Sequence, residues 1–202
     1  MQISVIGAAG MVGAAIVEEA IERGHDVRTF TKSGSGEGAR ALDLADTDAV
    51  VDVIDTSDVT VISTAGRDNY DAVVAAHKDL IAAAPAGRMF VIGGAGGLKA
   101  GEVLLAESPE LPEEYRAEAR AFVQVYQAYA QSNGLDWTML APSPMIAPGV
   151  RTGEYRTERD VPAGGFISAQ DFAVAAIDEI ERPQHAGARF TAASVDEEAA
   201  GA

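Results

Sequence analysis

Apolar positions in this chain change their spacing repeatedly. Gln2-Ile3-Ser4-Val5-Ile6 is a short β-branched run that predicts a buried strand. From Val12 the apolar residues move to helical spacing, with Val12, Ile16 and Ala20 on one side and Glu18, Glu19, Glu22 and Arg23 on the other. Gly24 then ends the predicted helix. Residues 25–30 read as a second strand, residues 41–44 as a short strand and turn, and residues 47–55 as a short acidic helix. Val59-Thr60-Val61-Ile62 and Met89-Phe90-Val91-Ile92 are two further buried strands, with helical character over residues 69–84 between them. Residues 113–132 form a long predicted helix whose Phe122, Val125, Tyr126 and Tyr129 share a core-facing side, and Asn133-Gly134 stops it. A sixth strand follows at 136–140. Ser168 to Asp171 start another helix with Phe172, Ala176, Ile177 and Ile180 as its apolar face, and residues 189–191 read as a last strand. Strands that alternate with helices imply an α/β fold: a doubly wound, mostly parallel sheet with helices on both faces, in three layers.

The junction of the first strand and helix carries the chemistry. Gly7-Ala8-Ala9-Gly10-Met11-Val12-Gly13 places glycines three apart between a strand and a helix, which is the setting of a dinucleotide turn in a Rossmann-like fold. Gly7 can take the sharp turn, Gly10 leaves room for a pyrophosphate, and Gly13 lets the helix pack close to the sheet. Free amides and the positive helix end would hold the phosphates. The second strand ends where such a fold meets the adenosine ribose. An acidic residue there would accept from both ribose hydroxyls of NAD, but this chain has Thr31-Lys32-Ser33-Gly34-Ser35, a cation and hydroxyls suited to a 2′-phosphate. NADP is therefore the preferred cofactor, with NAD possible and Lys32 as a plain solvated lysine the alternative. Ser63-Thr64-Ala65-Gly66 ends the next strand in small residues that leave space for a ligand. Gly93-Gly94-Ala95-Gly96-Gly97 ends another, as a close approach to ligand or as a flexible loop.

Composition narrows the function classes. The 202 residues are 48% hydrophobic and contain no cysteine, which excludes disulfides, thiolate metal sites and thiol catalysis. A formal charge of −16, from 31 acidic against 15 basic residues, opposes a nucleic-acid footprint. Apolar runs are too short and interrupted to cross a bilayer, and the N-terminal run has no basic region before it, so neither a membrane span nor a signal peptide is expected and the cytoplasm is the expected compartment. The organisation expected is one NAD(P)-binding Rossmann domain over residues 1–194, in which about 142–192 form a small substrate-covering part, and an acidic flexible tail over 195–202.

The opening glycine turn, Arg23-Gly24-His25-Asp26-Val27, and Gly134-Leu135-Asp136-Trp137-Thr138 before a proline loop resemble the atypical short-chain dehydrogenase/reductase superfamily. Within it the chain is similar to the NAD(P)H-binding group that includes biliverdin reductase B type flavin reductases and NmrA-like proteins. Gly93-Gly94-Ala95-Gly96, Leu111-Pro112-Glu113-Glu114-Tyr115 and Arg151-Thr152-Gly153-Glu154-Tyr155 extend the likeness. The resemblance implies that Gly7, Ala9, Gly10, Met11 and Val12 line the pyrophosphate and that Lys32 and Ser33 meet the 2′-phosphate. It places Asp43 and Leu44 at the adenine and Thr64, Ala65 and Gly66 along the nicotinamide half. Pro142, Ser143, Pro144 and Met145 would cover the nicotinamide, and Gly93 and Gly94 would border the substrate.

The chain departs from the superfamily where acid/base catalysis resides. The Tyr-x-x-x-Lys positions fall near Ala119 and Val123, and the partner serine near Gly94. Tyr115, Tyr126 and Tyr129 have no lysine four residues on, and His25, His77 and His185 are assigned no role. The catalytic residue is unknown. The expected function is a reductase that passes hydride to a flavin, quinone or similar conjugated acceptor without a protein acid, with a non-catalytic NADP sensor as the alternative. Its partner would be a small molecule, and the chain a monomer or small homo-oligomer.

Overall fold

The computed structural model describes residues 1–66 and 69–202. The first half contains β1 (Gln2–Ile6), α1 (Met11–Glu22), β2 (Asp26–Thr31), β3 (Arg40–Ala41), α2 (Thr47–Asp55), β4 (Val59–Ile62), α3 (Tyr70–Ala83) and β5 (Met89–Ile92). A hairpin of β6 (Lys99–Ala100) and β7 (Val103–Leu104), α4 (Glu113–Ala130) and β8 (Trp137–Pro142) follow. The chain then closes with β9 (Met145–Ala147), β10 (Tyr155–Glu158), β11 (Phe166–Ser168), α5 (Ala169–Glu181), β12 (Ala188–Ser194) and α6 (Glu197–Ala200).

Eight strands form the central sheet in the order β10-β12-β8-β5-β4-β1-β2-β3, parallel except for β10 at one edge. Side chains alternate across it. Ile3, Val5, Val61 and Phe90 face α1 and α5, whereas Ile6, Ile62, Met89 and Val91 face α2, α3 and α4. Both faces are thus covered, which is why β5 is apolar throughout and β4, apolar but for Thr60, is wholly buried with it. This is the expected three-layer Rossmann-like fold.

The elements absent from the sequence reading are short. β6, β7, β9, β10 and β11 have two to four residues each, too few for a period to register. A partly buried charge network also ties α1 to the later part of the chain. Glu19 of α1, 3% exposed, accepts from Arg23 and Arg151, and the Arg151 hydrogen bonds hold its carboxyl below the usual range. Arg23 also reaches Asp178 of α5 at 2.6 Å, and the Tyr155 hydroxyl donates to the same carboxylate at 2.7 Å.

The tail makes contacts with the body of the protein. Asp196 caps α6 by accepting from the Ala199 amide at 3.0 Å, Ala200 is fully buried, and its carbonyl accepts from the Val150 amide at 2.8 Å. Glu197 meets Arg156 and the Gly165 amide. The approach depends on Gly149, where a Cβ would run into the Ala200 carbonyl oxygen.

Candidate functional site

Three glycines shape the turn from β1 to α1, and they do different work. Gly7 has φ +89°, and a Cβ there would run into the Ser63 carbonyl oxygen. A Cβ on Gly13 would run into the Gly7 carbonyl oxygen. These two are required by the close packing of the turn itself. Gly10 is different, because a Cβ there would approach nothing nearer than Gly7 O at 3.4 Å, leaving the space above it open.

Gly10 is also the N-cap of α1, and it offers no side chain to the first-turn amides. Asp46, Asn69, Ser168 and Asp196 cap α2, α3, α5 and α6, while uncapped α4 carries Glu113 and Glu114 in its first turn. Among the described residues α1 is the one α-helix with neither a side-chain cap nor an acidic first turn. Its free amides and positive end face the open space over Gly10, which suits a pyrophosphate.

A cleft of about 450 Å³ opens beside this turn, at the carboxyl ends of β1, β2 and β4. It gathers Gly7, Ala9, Gly10, Lys32, Asp43, Leu44, Thr64, Ala65 and Gly66 from four separate segments. Met11 and Val12 stand beside it: Met11 is exposed at the head of α1, and Val12 packs into the core. Ser33 is exposed, and its hydroxyl bonds that of Ser35 at 2.6 Å. The walls include residues that the sequence reading missed, among them Leu42, Ala45 and, from α3 and its cap, Asn69, Ala72, Val73 and Ala76. Ala72 and Ala76 lie one helical turn apart, and Asn69 precedes the helix as its cap; those were the available signals. Asp43 accepts from Lys32 Nζ at 2.9 Å and from the Ala45 amide at 3.2 Å, and the Lys32 contact holds its carboxyl below the usual range. Thr64 Oγ1 is buried and has no hydrogen-bond partner among the described residues.

The second glycine loop is built differently. The Gly93 amide continues the sheet by donating to Leu140 O at 2.9 Å. A Cβ on Gly93 would lie 2.9 Å from Met139 Sδ, one on Gly94 3.0 Å from Phe122 Cβ, and one on Gly96 2.6 Å from Ala119 Cβ. Gly97 makes room for Arg189, which stacks 3.7 Å from the Tyr126 ring centroid and pairs with Asp160 at 2.6 Å. The glycines of this loop admit α4 and Arg189. Ser143 is fully buried, with its hydroxyl donating to Ala192 O at 2.7 Å, whereas Met145 is 65% exposed. Gly93, Gly94, Pro142, Ser143 and Met145 are all outside the cleft wall.

The histidines and tyrosines have structural neighbours. His25 contacts Glu181 at 3.0 Å, and His185 contacts Glu179 at 2.8 Å while stacking on Phe190. His77 Nδ1 lies 3.1 Å from the Tyr129 hydroxyl in the core, where burial pushes the imidazole pKa down to about 4 and the phenol up. A second hollow of about 270 Å³, between α5, β10 and β12, contains Tyr155, Asp178, Glu179 and His185, all engaged with one another or with Arg23.

The fold and the uncapped glycine turn define a nucleotide-binding Rossmann-type domain. The family described as NAD(P)H-binding matches residues 7–183, and the chain belongs to it. The uncharacterized protein YwnB of Bacillus subtilis strain 168 is 33% identical, over 96% of this chain and 99% of its own. The crystal structure of a Burkholderia pseudomallei protein described as exported is 32% identical, with TM-score 0.86 over 96% of this chain and 99% of its own. SP1627 of Streptococcus pneumoniae TIGR4, assigned as an NADH-flavin reductase, is 28% identical, with TM-score 0.84 and the same coverage of 96% and 99%. No helix among the described residues is long and apolar enough to cross a membrane.

Proposed function

We propose that this chain is an NAD(P)H-dependent reductase that passes hydride to a flavin, a quinone or a similar conjugated acceptor. The observation that carries the reading is the bare, open N-terminus of α1 at Gly10, facing the cleft of a chain in the NAD(P)H-binding family. Gly7, Ala9 and Gly10, with the first-turn amides of Met11 and Val12, hold the pyrophosphate. Lys32 and Ser33 face the adenosine phosphate, which makes NADP the preferred cofactor, and Asp43 and Leu44 flank the adenine. Thr64, Ala65 and Gly66 border the nicotinamide half. The reduced nicotinamide supplies the hydride; the protein orients it and keeps water from it.

The positions of a tyrosine–lysine acid pair support this choice of acceptor. Ala119 packs on Gly96, and Val123 Cγ2 lies 3.7 Å from where a Gly97 Cβ would be, so no titratable group stands there. A conjugated acceptor can take its proton from water. SP1627, with its flavin-reductase assignment, is the relative that favours this acceptor class. A reductase drawing on reduced nicotinamide works in the cytoplasm, although the Burkholderia neighbour is described as exported. The same vacant acid positions favour a second reading, a binding protein that senses NADP without turnover.

Thermal unfolding with NADP and with NAD tests the site. A nucleotide at about a hundred times its dissociation constant adds roughly 2.7 kcal/mol to stability, and no shift with either would remove the cofactor reading. NADPH consumption with flavins and quinones then separates the two readings. Turnover well above the uncatalysed rate is expected, and tight binding without turnover would select the sensor.

A further inference from the structure

Among the described residues lining the cleft, one ion pair joins two side chains, Lys32 and Asp43, that the proposed cofactor reading puts at the adenosine end of the nucleotide. Lys32 Nζ lies 2.9 Å from Asp43 Oδ2, with the side chains 82% and 44% exposed. Among the described residues lining the cleft, Lys32 is the only cation and Asp43 the only anion. The local charge is therefore balanced on a surface whose total is −16. The two partners are not equally free. Asp43 is also tied to the backbone through the Ala45 amide, whereas the lysine ammonium ends a flexible and almost fully exposed stem.

We propose that Asp43 is a specificity-determining residue that opposes Lys32, so that the pair, and not the lysine alone, sets the preference between NADP and NAD. The inference rests on the reading that this cleft takes the adenosine end of a nicotinamide dinucleotide. A 2′-phosphate must draw the ammonium away from Asp43 and then tolerate the carboxylate as a neighbour. An unphosphorylated ribose leaves the neutral pair intact, with the carboxylate still beside the adenine. Both nucleotides bind as a result, and the advantage of NADP is smaller than a lone lysine would confer.

Calorimetric dissociation constants for NADP and NAD, measured on the unaltered chain and on Asp43→Asn, Lys32→Met and the double variant, test this. Asn keeps an oxygen for the Ala45 amide, and both side chains are exposed, so the variants should fold; their thermal melts without ligand check it. Asp43→Asn is expected to raise the NADP-to-NAD affinity ratio roughly five- to tenfold, the size of removing one charge next to a phosphate in a well-solvated site. Lys32→Met should lower the ratio, and the double variant should fall between the two. Added salt should shrink the differences. An unchanged or lower ratio in Asp43→Asn, with the loss in Lys32→Met intact, overturns the inference and leaves the cofactor site standing. Binding of neither nucleotide to the unaltered chain would overturn the cofactor reading, and this inference with it.

Discussion

The loops over residues 7–13 and 93–97 leave neighbouring regions of one sheet at the carboxyl ends of buried parallel strands, and both are rich in glycine. Their surroundings are opposite. At the first loop, Gly7 and Gly13 are consumed by the turn's own packing while Gly10 opens on a cleft beneath an uncapped helix. At the second, side chains of α4, β8 and β12 occupy the space that the missing Cβ atoms leave. A glycine run therefore announces a close approach without saying what approaches. What distinguishes the two is the helix. α1 begins within the first loop and presents its amides there, whereas α4 starts only at Glu113 and lays its flank across the second.

The joint between the regions offers the strongest way to disturb both. α3 lines the cleft, α4 fills the second loop, and the buried His77–Tyr129 pair connects them. His77 titrates near 4 in the folded chain against an ordinary 6.5. The unfolded chain therefore takes up a proton first, so the stability contributed above pH 6.5 is lost as pH falls from 6.5 towards 4. That loss amounts to roughly 3 kcal/mol by this group. Urea unfolding across this window should show it, and His77→Leu, with no imidazole to protonate, should lose that part of the slope.

Gly96→Ala should cost about 2 kcal/mol of folding stability, because the new methyl meets Ala119 at 2.6 Å, and nucleotide affinity in the folded variant should be unchanged. Denaturant midpoints and calorimetry together decide whether that loop is packing alone. An affinity loss would return the second loop to the ligand.

Gly10→Ala is expected to behave in the opposite sense. It should weaken nucleotide binding about tenfold, near 1.4 kcal/mol, while folding stability changes by less than about 1 kcal/mol, since nothing but Gly7 O lies within reach of the methyl. Equal binding by this variant would mean that the open space over Gly10 is not where the phosphates go.

Much of this was legible because its causes are local. The apolar period placed α2 and β4 at their observed bounds, and the strand–glycine–helix order located the bare N-terminus of α1. Asp43, Thr64 and Gly66 do reach the same cleft as Lys32. The resemblance put Ser143 in the loop over the nicotinamide; the direction of its hydroxyl was not legible there, because it depends on β12, whose Ala192 carbonyl accepts from it. The docked tail depends likewise on Gly149, distant in sequence.

By itself the sequence determined the order of the longer strands and helices, the doubly wound class and the glycine turn, because spacing, β-branching and missing Cβ atoms act within a few residues. Only the tertiary structure decided which glycines remain open, which small residues of α3 complete the cleft, and that Lys32 faces Asp43. Those depend on where separate strands end in space, and the sheet alone sets that.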